Sequence, residues 1–525
     1  MSLSRDAYRE LEDILGPDNI SEDLAVLEGY AYLNVFGPMS PKPEDRFMPR
    51  PEAVVLPGTA DEVQAIIKLC RRKGIRTKAF STGYGPHNSV GGEGVIMLDL
   101  RRMNRIIDID EKNMFIVVEP YVSSAQVHAE AMKRGMGFHI AAAGSQVSAL
   151  AGHTSMHGNN FVAISQGYSG RNLLGVEWVL PTGDLVRLGS LGAGAGWFSG
   201  DGPGPSLRGI MRGAAGALGS LGVFTKCACH LHPWPGPRQM KTTGVAPKYE
   251  AEIPPLFEYH IVGFPSWDHY AAAVYKIGEA GIAYALHKTG GPGTSGVYVT
   301  GSNNEYCERR ANGEFGLPRH SFAIIMGANS EGEHVYQKKV FETILAETGG
   351  EISPVGEDET FKKHDYLHLL RVNRTPSTTG GFTMSGIMAM ESMDNVALGL
   401  KTNDELVTDY QKKGLVADDG TSNSWSTAYE GTHFALAECG HGYDILDEET
   451  YKGVIGMPEE GMKKALALPL CMSWCVMGDQ ANRMLGPFVG NVQDWMRKVK
   501  RTFDPDCVSD PTFYISPEEG PKTNP

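Results

Sequence analysis

The chain has 525 residues, 41% hydrophobic and 21% charged, which suits a folded protein of more than one domain and excludes a largely disordered one. Its 62 acids against 48 bases give a net charge of −14, so it lacks the basic field that holds a nucleic-acid backbone. Nucleic acid is excluded as an expected partner.

Residues Met1 to Gly16 mix charges into every turn, so no standard secretory signal is expected. The apolar run from Ala465 to Gly478 is interrupted by Pro469 and falls short of the roughly 18 residues that suggest a membrane span. Eight cysteines are too few for a disulfide scaffold at this length. Cys227-x-Cys229 and Cys471-x-x-x-Cys475 do not repeat the spacing of zinc or iron–sulfur ligands. Free thiols and a cytoplasmic protein without metal are therefore expected.

The first unit opens at Arg50. Ala53 to Leu56 forms a short strand, and Thr59 with early acids starts a helix in which Val63, Ile66, Ile67 and Cys70 recur at helical spacing until Gly74. Ile75 to Phe80 is a second strand, the loop Ser81-Thr-Gly-Tyr-Gly-Pro-His-Asn88 follows at once, and Val95 to Leu100 is a third. Ile106 to Ile109 and Phe115 to Glu119 pair around a turn, and Ser124 to Arg134 is helical. Val176 to Leu180 and Leu185 to Leu188 flank a tight turn.

From about Lys241 the character changes. Ile253 to Gly263 is strand-like, Ser266 caps a helix to Ala280, and His320 to Gly327 with Glu333 to Thr348 repeats that order. Trp495 to Phe503 is an amphipathic helix. The reading is α+β, with a second α+β unit inserted between two ends of the chain.

Glycine carries the chemistry of the first unit. There are 64 glycines, concentrated between Gly83 and Gly222, where the backbone must turn or approach a ligand closely. In Ser81 to Asn88 consecutive backbone N–H groups can hold a pyrophosphate without Lys or Arg, so an acidic chain can still bind a dinucleotide. The loop is neither a GxGxxG opening a helix nor a Gly-Lys-Ser/Thr loop, which disfavours the nicotinamide-binding doubly wound fold and the nucleotide triphosphatases.

These motifs, taken in order, carry a resemblance. Pro51-Glu-Ala-Val-Val-Leu-Pro57, Phe80-Ser-Thr-Gly-Tyr-Gly85, Arg102-Met-Asn-Arg-Ile106 and Val117-Val-Glu-Pro120 resemble the vanillyl-alcohol oxidase/p-cresol methylhydroxylase flavoprotein family. Gly152-His-Thr-Ser-Met-His-Gly158, Gly175 to Gly183, Gly216 to Lys226 and Lys500 to Pro511 are similar to further family segments. The resemblance implies an FAD domain of residues 1–240 completed by 466–525, with a substrate-covering cap at 241–465. It implies FAD contacts at Ser81, Thr82, Gly83, Tyr84, Gly85, Pro86, His87 and Asn88. Gly152, His153, Thr154, Ser155, Gly158 and Asn159, with Gly222 and Val223, are implied as further contacts. Many relatives carry in the first loop a histidine that bonds covalently to the flavin; Tyr84 stands there instead. Tyr121 stands where relatives have glycine.

The resemblance implies hydride transfer from an alcohol-like or benzylic carbon of a small organic substrate to flavin N5. Catalytic groups are then sought in the cap. Tyr429 and His433 lie in Tyr429-Glu-Gly-Thr-His433-Phe-Ala-Leu-Ala-Glu438, where His433, Ala435 and Ala437 share one face of a strand, toward the flavin or away from it. Arg371-Val-Asn-Arg374 offers guanidinium groups for a carboxylate or a phenolate. His364 and His368 suit a helix surface, and His441-Gly-Tyr-Asp444 only faintly resembles a metal-binding run. A para-substituted phenol and a 2-hydroxy acid both remain open, as do dioxygen or a haem or iron–sulfur subunit as electron acceptor. A synthetic flavoenzyme, a non-catalytic flavin-fold protein and a homo-oligomer are further readings.

Overall fold

The architecture comes from a computed structural model. The structure describes residues 3–31, 40–42, 47–83, 88–140, 144–156, 160–197, 207–211, 216–245, 248–288, 305, 308–309, 311–312, 314, 317–371, 381–418, 424–468, 470 and 477–518.

The first layer is built by amphipathic helices on a small sheet. Ser4 caps the helix Arg5–Leu15, whose Ala7, Leu11 and Leu15 recur every fourth residue and are buried. They pack with Val63, Ile66, Ile67 and Cys70 of the helix Ala60–Lys73, capped by Thr59 and ended by Gly74 at a φ of 68°. The sheet beside them has the strand order Ile20–Ser21, Val54–Val55, Val95–Asp99, Arg76–Phe80. Arg76–Phe80 and Val95–Asp99 run parallel, and every residue of Val95–Asp99 is buried, as expected for a strand covered on both faces.

A five-stranded sheet follows, in the order Ile106–Asp110, Phe115–Val118, Val223–His230, Leu173–Val179, Leu185–Leu188. Its pairings are antiparallel. Lys500, near the end of the helix Val492–Phe503, donates to the carbonyls of Ser220 and Ser509 and pairs with Asp504 at 2.5 Å. Gly222 N donates to Ser509 Oγ, and Thr77 N to the Val508 carbonyl. Residues distant in sequence thus meet beside the first sheet.

The inserted unit has two sheets. One orders Ala285–Lys288, Ser321–Gly327, Phe257–Gly263, Glu351–Ile352; the other orders Gly381–Glu391, Phe434–Tyr443, Ser424–Tyr429. The two meet where Thr427 Oγ1 donates to the Leu286 carbonyl at 2.7 Å. Strand alternation sorts their side chains into two faces. Leu286, Phe322, Ile324, Ala428, Ala435 and Ala437 pack under the helices Trp267–Ala280 and Met393–Lys412. Tyr259, Ile261, Ala285, Ala323 and Ile325 form the other face, packed with Phe161 of the first domain and Tyr366. That second face positions the site.

The family-like α+β architecture holds. His433 departs from its expected strand: it ends a helical turn at Glu430–Thr432, and the strand begins at Phe434. Gly431 at a φ of 65°, with Glu430 and Thr432 also at positive φ, reverses the chain before the strand can start.

Candidate active site

A cleft open to solvent runs along the end of the strand Arg76–Phe80. Ser81, Thr82 and Asn88 line it, as do Ser148, Gly152 and Ser155 from the start and end of the helix Ala149–Thr154, and Gly219 and Gly222 from the turn before Val223. Thr82 Oγ1 accepts from Ser148 N at 2.9 Å and Ser148 Oγ donates to the Pro120 carbonyl at 2.6 Å, which locks the two walls together. Gly83 has a φ of 75°, and a Cβ there would lie 2.7 Å from the Phe80 ring. Gly219, at a φ of 78°, has only Ala79 atoms, at 3.9 Å, near where a Cβ would stand, so a side chain would project into the cleft.

Several expected contacts do not face this cleft. His153 is fully buried, its Nδ1 donating to the Ala149 carbonyl at 2.7 Å and its ring packed on Phe138. Thr154 gives its hydroxyl to the Leu150 carbonyl. Successive helix residues diverge by about 100°, so Gly152 lining the cleft turns the next two toward the core. Val223 opens a strand and alternates away from Gly222 into the core beside Val63 and Ile67. Tyr84, Gly85, Pro86, His87, Gly158 and Asn159 lie outside the described residues. Beside the hydroxyl and backbone groups, Lys78 also lines the cleft.

Residues 51–189 match the model of an FAD binding domain. An uncharacterised FAD-linked oxidoreductase of Mycobacterium tuberculosis is 22% identical over 95% of this chain and 96% of its own. The chain thus carries an FAD-binding domain. The structure of p-cresol methylhydroxylase superposes with a TM-score of 0.69 at 18% identity, covering 95% of this chain and 94% of that one, and so shares the fold. The glycolate oxidase subunit GlcD of Bacillus subtilis is 25% identical over 44% of this chain and 46% of its own length. The flavoprotein subunit of 4-cresol dehydrogenase from Pseudomonas putida is 27% identical over 44% and 43%. The chain thus spans less than half the length of these two relatives.

The lining of the cleft suits FAD. Hydroxyls, an amide, glycine backbone and one lysine suit a diphosphate, and the bare Gly219 backbone leaves room for it.

Phe161 lies five residues beyond the lining residue Met156, packed with Tyr259, Ala285 and Ile325 of the sheet that carries the strand Ala285–Lys288. Three cap side chains converge on it. His287 stacks on the Phe161 ring with centroids 3.7 Å apart, the Arg371 guanidinium lies 4.0 Å from its centroid, and His368 lies at 5.4 Å. All three are at most 5% exposed. Burial first, then the Arg371 charge, pushes both imidazoles well below their ordinary 6.5, so both are neutral. Among the described residues, His287 has no hydrogen-bond partner of normal geometry at either ring nitrogen. On the neighbouring sheet, Glu438 lies on the same strand face as Leu436 and is cross-strand to Trp425 and Met388.

Arg371 is therefore the expected residue that the structure brings to the inner cap face. Arg374 lies outside the described residues. Tyr429 is buried in an aromatic group, stacked on Phe434 at 4.6 Å and edge-on to Tyr168 at 5.7 Å. His433 is exposed on its turn. His364 and His368, expected on a helix surface, are both buried, because their helix Glu359–Leu369 packs against the strand Lys248–Ala251 and the cap. His441 is buried and bonded to Asn403. Among the described residues no group of three or more His, Cys, Asp or Glu could hold a metal ion.

His287, Glu438 and Lys78 were not singled out from the sequence. For His287 the usable signal was alternation in Ala285-Leu-His-Lys288, which sets it opposite Leu286. Lys78 carried no such signal, because Arg76-Thr-Lys-Ala-Phe80 has the composition of a surface strand.

Proposed function

We propose that the enzyme oxidises small 2-hydroxy acids, with Arg371 binding the substrate carboxylate and His287 accepting the hydroxyl proton. The observation that carries this reading is the convergence of a buried guanidinium and two buried neutral imidazoles on Phe161. A guanidinium holds a carboxylate through two parallel hydrogen bonds, which fixes the substrate's orientation. A neutral imidazole can take a proton at Nδ1 or Nε2; an imidazolium cannot. Bound FAD supplies the hydride acceptor. As His287 takes the hydroxyl proton, the same carbon can give up its hydrogen with both bonding electrons and become a carbonyl. His368, with its ring 6.3 Å from that of His287, adds a second neutral imidazole beside Phe161. Ser81, Thr82, Asn88, Ser148, Ser155, Gly219 and Gly222 hold the cofactor.

A second reading is a para-substituted phenol, favoured by the buried Tyr284 and Tyr366 on the same face. The Tyr366 hydroxyl makes no hydrogen bond among the described residues and could receive a phenolate. Anaerobic mixing with 2-hydroxy acids and with para-alkyl phenols separates the two. Bleaching of the flavin band by hydroxy acids supports the first reading, bleaching by phenols alone transfers the site to the second, and neither rejects both. Reoxidation of the bleached enzyme by dioxygen alone would argue against a separate electron-accepting subunit, the acceptor arrangement of a two-subunit dehydrogenase.

A further inference from the structure

Lys78 is the one ionisable side chain in the described lining of the cofactor cleft. It sits in the middle of the strand Arg76–Phe80 and is 1% exposed. Its Nζ donates to the Leu218 carbonyl at 2.8 Å and lies 5.0 Å from the centroid of the Phe513 ring. Lys500, equally buried, has a carboxylate at 2.5 Å and two carbonyls. Lys78 has no carboxylate at ion-pair distance among the described residues; the charges that face it from neighbouring elements are Asp510 and Lys500, which oppose each other.

A buried ammonium with one carbonyl and one ring face is under-compensated, since desolvation penalises its charge and only a nearby anion restores it. Burial accordingly pulls Lys78 down to about 8. The remaining lining is hydroxyl, amide, apolar side chain and glycine backbone, which supplies donors but no charge. Of the parts of oxidised FAD, the diphosphate alone is anionic. The Leu218–Gly219 turn that Lys78 holds has both residues at positive φ, 50° and 78°, so the lysine also fixes a strained stretch of the cleft wall.

We propose that Lys78 is the side-chain cation that compensates the cofactor diphosphate, completing a site otherwise built from hydroxyl and main-chain donors. The inference rests on FAD binding and is independent of the substrate assignment. Charged and neutral replacements separate it from a peg that merely anchors Leu218. Lys78→Gln keeps a donor for the Leu218 carbonyl and removes the charge; Lys78→Arg keeps the charge.

The test is titration of apoprotein with FAD, followed by quenching of flavin fluorescence. Lys78→Gln is expected to bind roughly 10- to 100-fold more weakly than the unsubstituted protein, the worth of a hydrogen bond to a charged group, and Lys78→Arg more tightly than Lys78→Gln. Wild-type affinity in Lys78→Gln, or no advantage of Arg over Gln, overturns the proposal. Calorimetry on the unsubstituted protein in two buffers of different ionisation enthalpy needs no variant. At about pH 9, above the Lys78 titration, FAD binding should take up protons, and at about pH 6.5 it should not. Equal absence of uptake at both pH values overturns the assignment.

Discussion

The imidazole of His287 lies on the ring of Phe161, centroids 3.7 Å apart and planes 23° apart. This contact joins the two halves of the molecule. His287 belongs to the strand Ala285–Lys288 and Phe161 to the stretch just before the helix Ala163–Gln166, so their stacking ties these two distant parts of the chain together.

His287→Ala should leave the flavin spectrum and FAD content unchanged while slowing anaerobic flavin reduction by roughly 10²- to 10⁴-fold, the usual weight of a general base. Because burial and the Arg371 charge hold His287 well below its ordinary 6.5, the base stays neutral between pH 8 and that value, and the rate should not decline across this range. His433→Ala, on its exposed turn, should reduce at the wild-type rate. Stopped-flow absorbance reads all three, and a slow His433→Ala enzyme would move the base to that turn.

Arg371→Met should lower the efficiency of flavin reduction by roughly 10²- to 10³-fold, matching the loss of one partner from a buried charged contact. The loss should fall on anionic substrates. A neutral diol of the same size, measured in parallel, should show little change; equal losses would mean that Arg371 only supports Phe161.

Gly219→Val should strip the protein of flavin. The backbone there is left-handed, which costs a β-branched residue roughly 1–2 kcal/mol, and the side chain would enter the cleft. Absorbance ratios after purification give the flavin content, and full occupancy would remove Gly219 from the cofactor site.

Stability should fall in mild acid. His128, His232 and His441 are held down by burial, to about 4, about 3 and about 3. The unfolded chain, with histidines near 6.5, binds more protons than the native state below that value, so stability is intact above about pH 6.5 and falls as pH drops toward 4. Thermal unfolding between pH 7 and 5 should show a falling midpoint. A flat profile would mean that these imidazoles are protonated in the folded protein.

Local order was legible in the residues themselves. Thr59, Gly74 and Ser266 announce helix ends because capping is a contact between neighbours, and the runs at Val95–Asp99 and Ser321–Gly327 show as strands by their apolar content. The small-residue loop at Ser81 pointed to a backbone-lined anion site for the same reason: the donors are adjacent in the chain. What only tertiary structure decided is which side chains meet. Arg371 was visible as a cation, but its partners His287 and Phe161 are 84 and 210 residues away in sequence, and no local pattern links them. His433 looked like a strand residue until three successive positive φ values ended the turn one residue later. Lys78 has the composition of a surface strand; packing of Leu218, Phe513 and Asp510 around it, from two distant stretches of chain, makes it a buried charge in a cofactor cleft. Spacing along a chain specifies backbone conformation, whereas the field at a buried atom depends on what folding brings within a few ångströms of it.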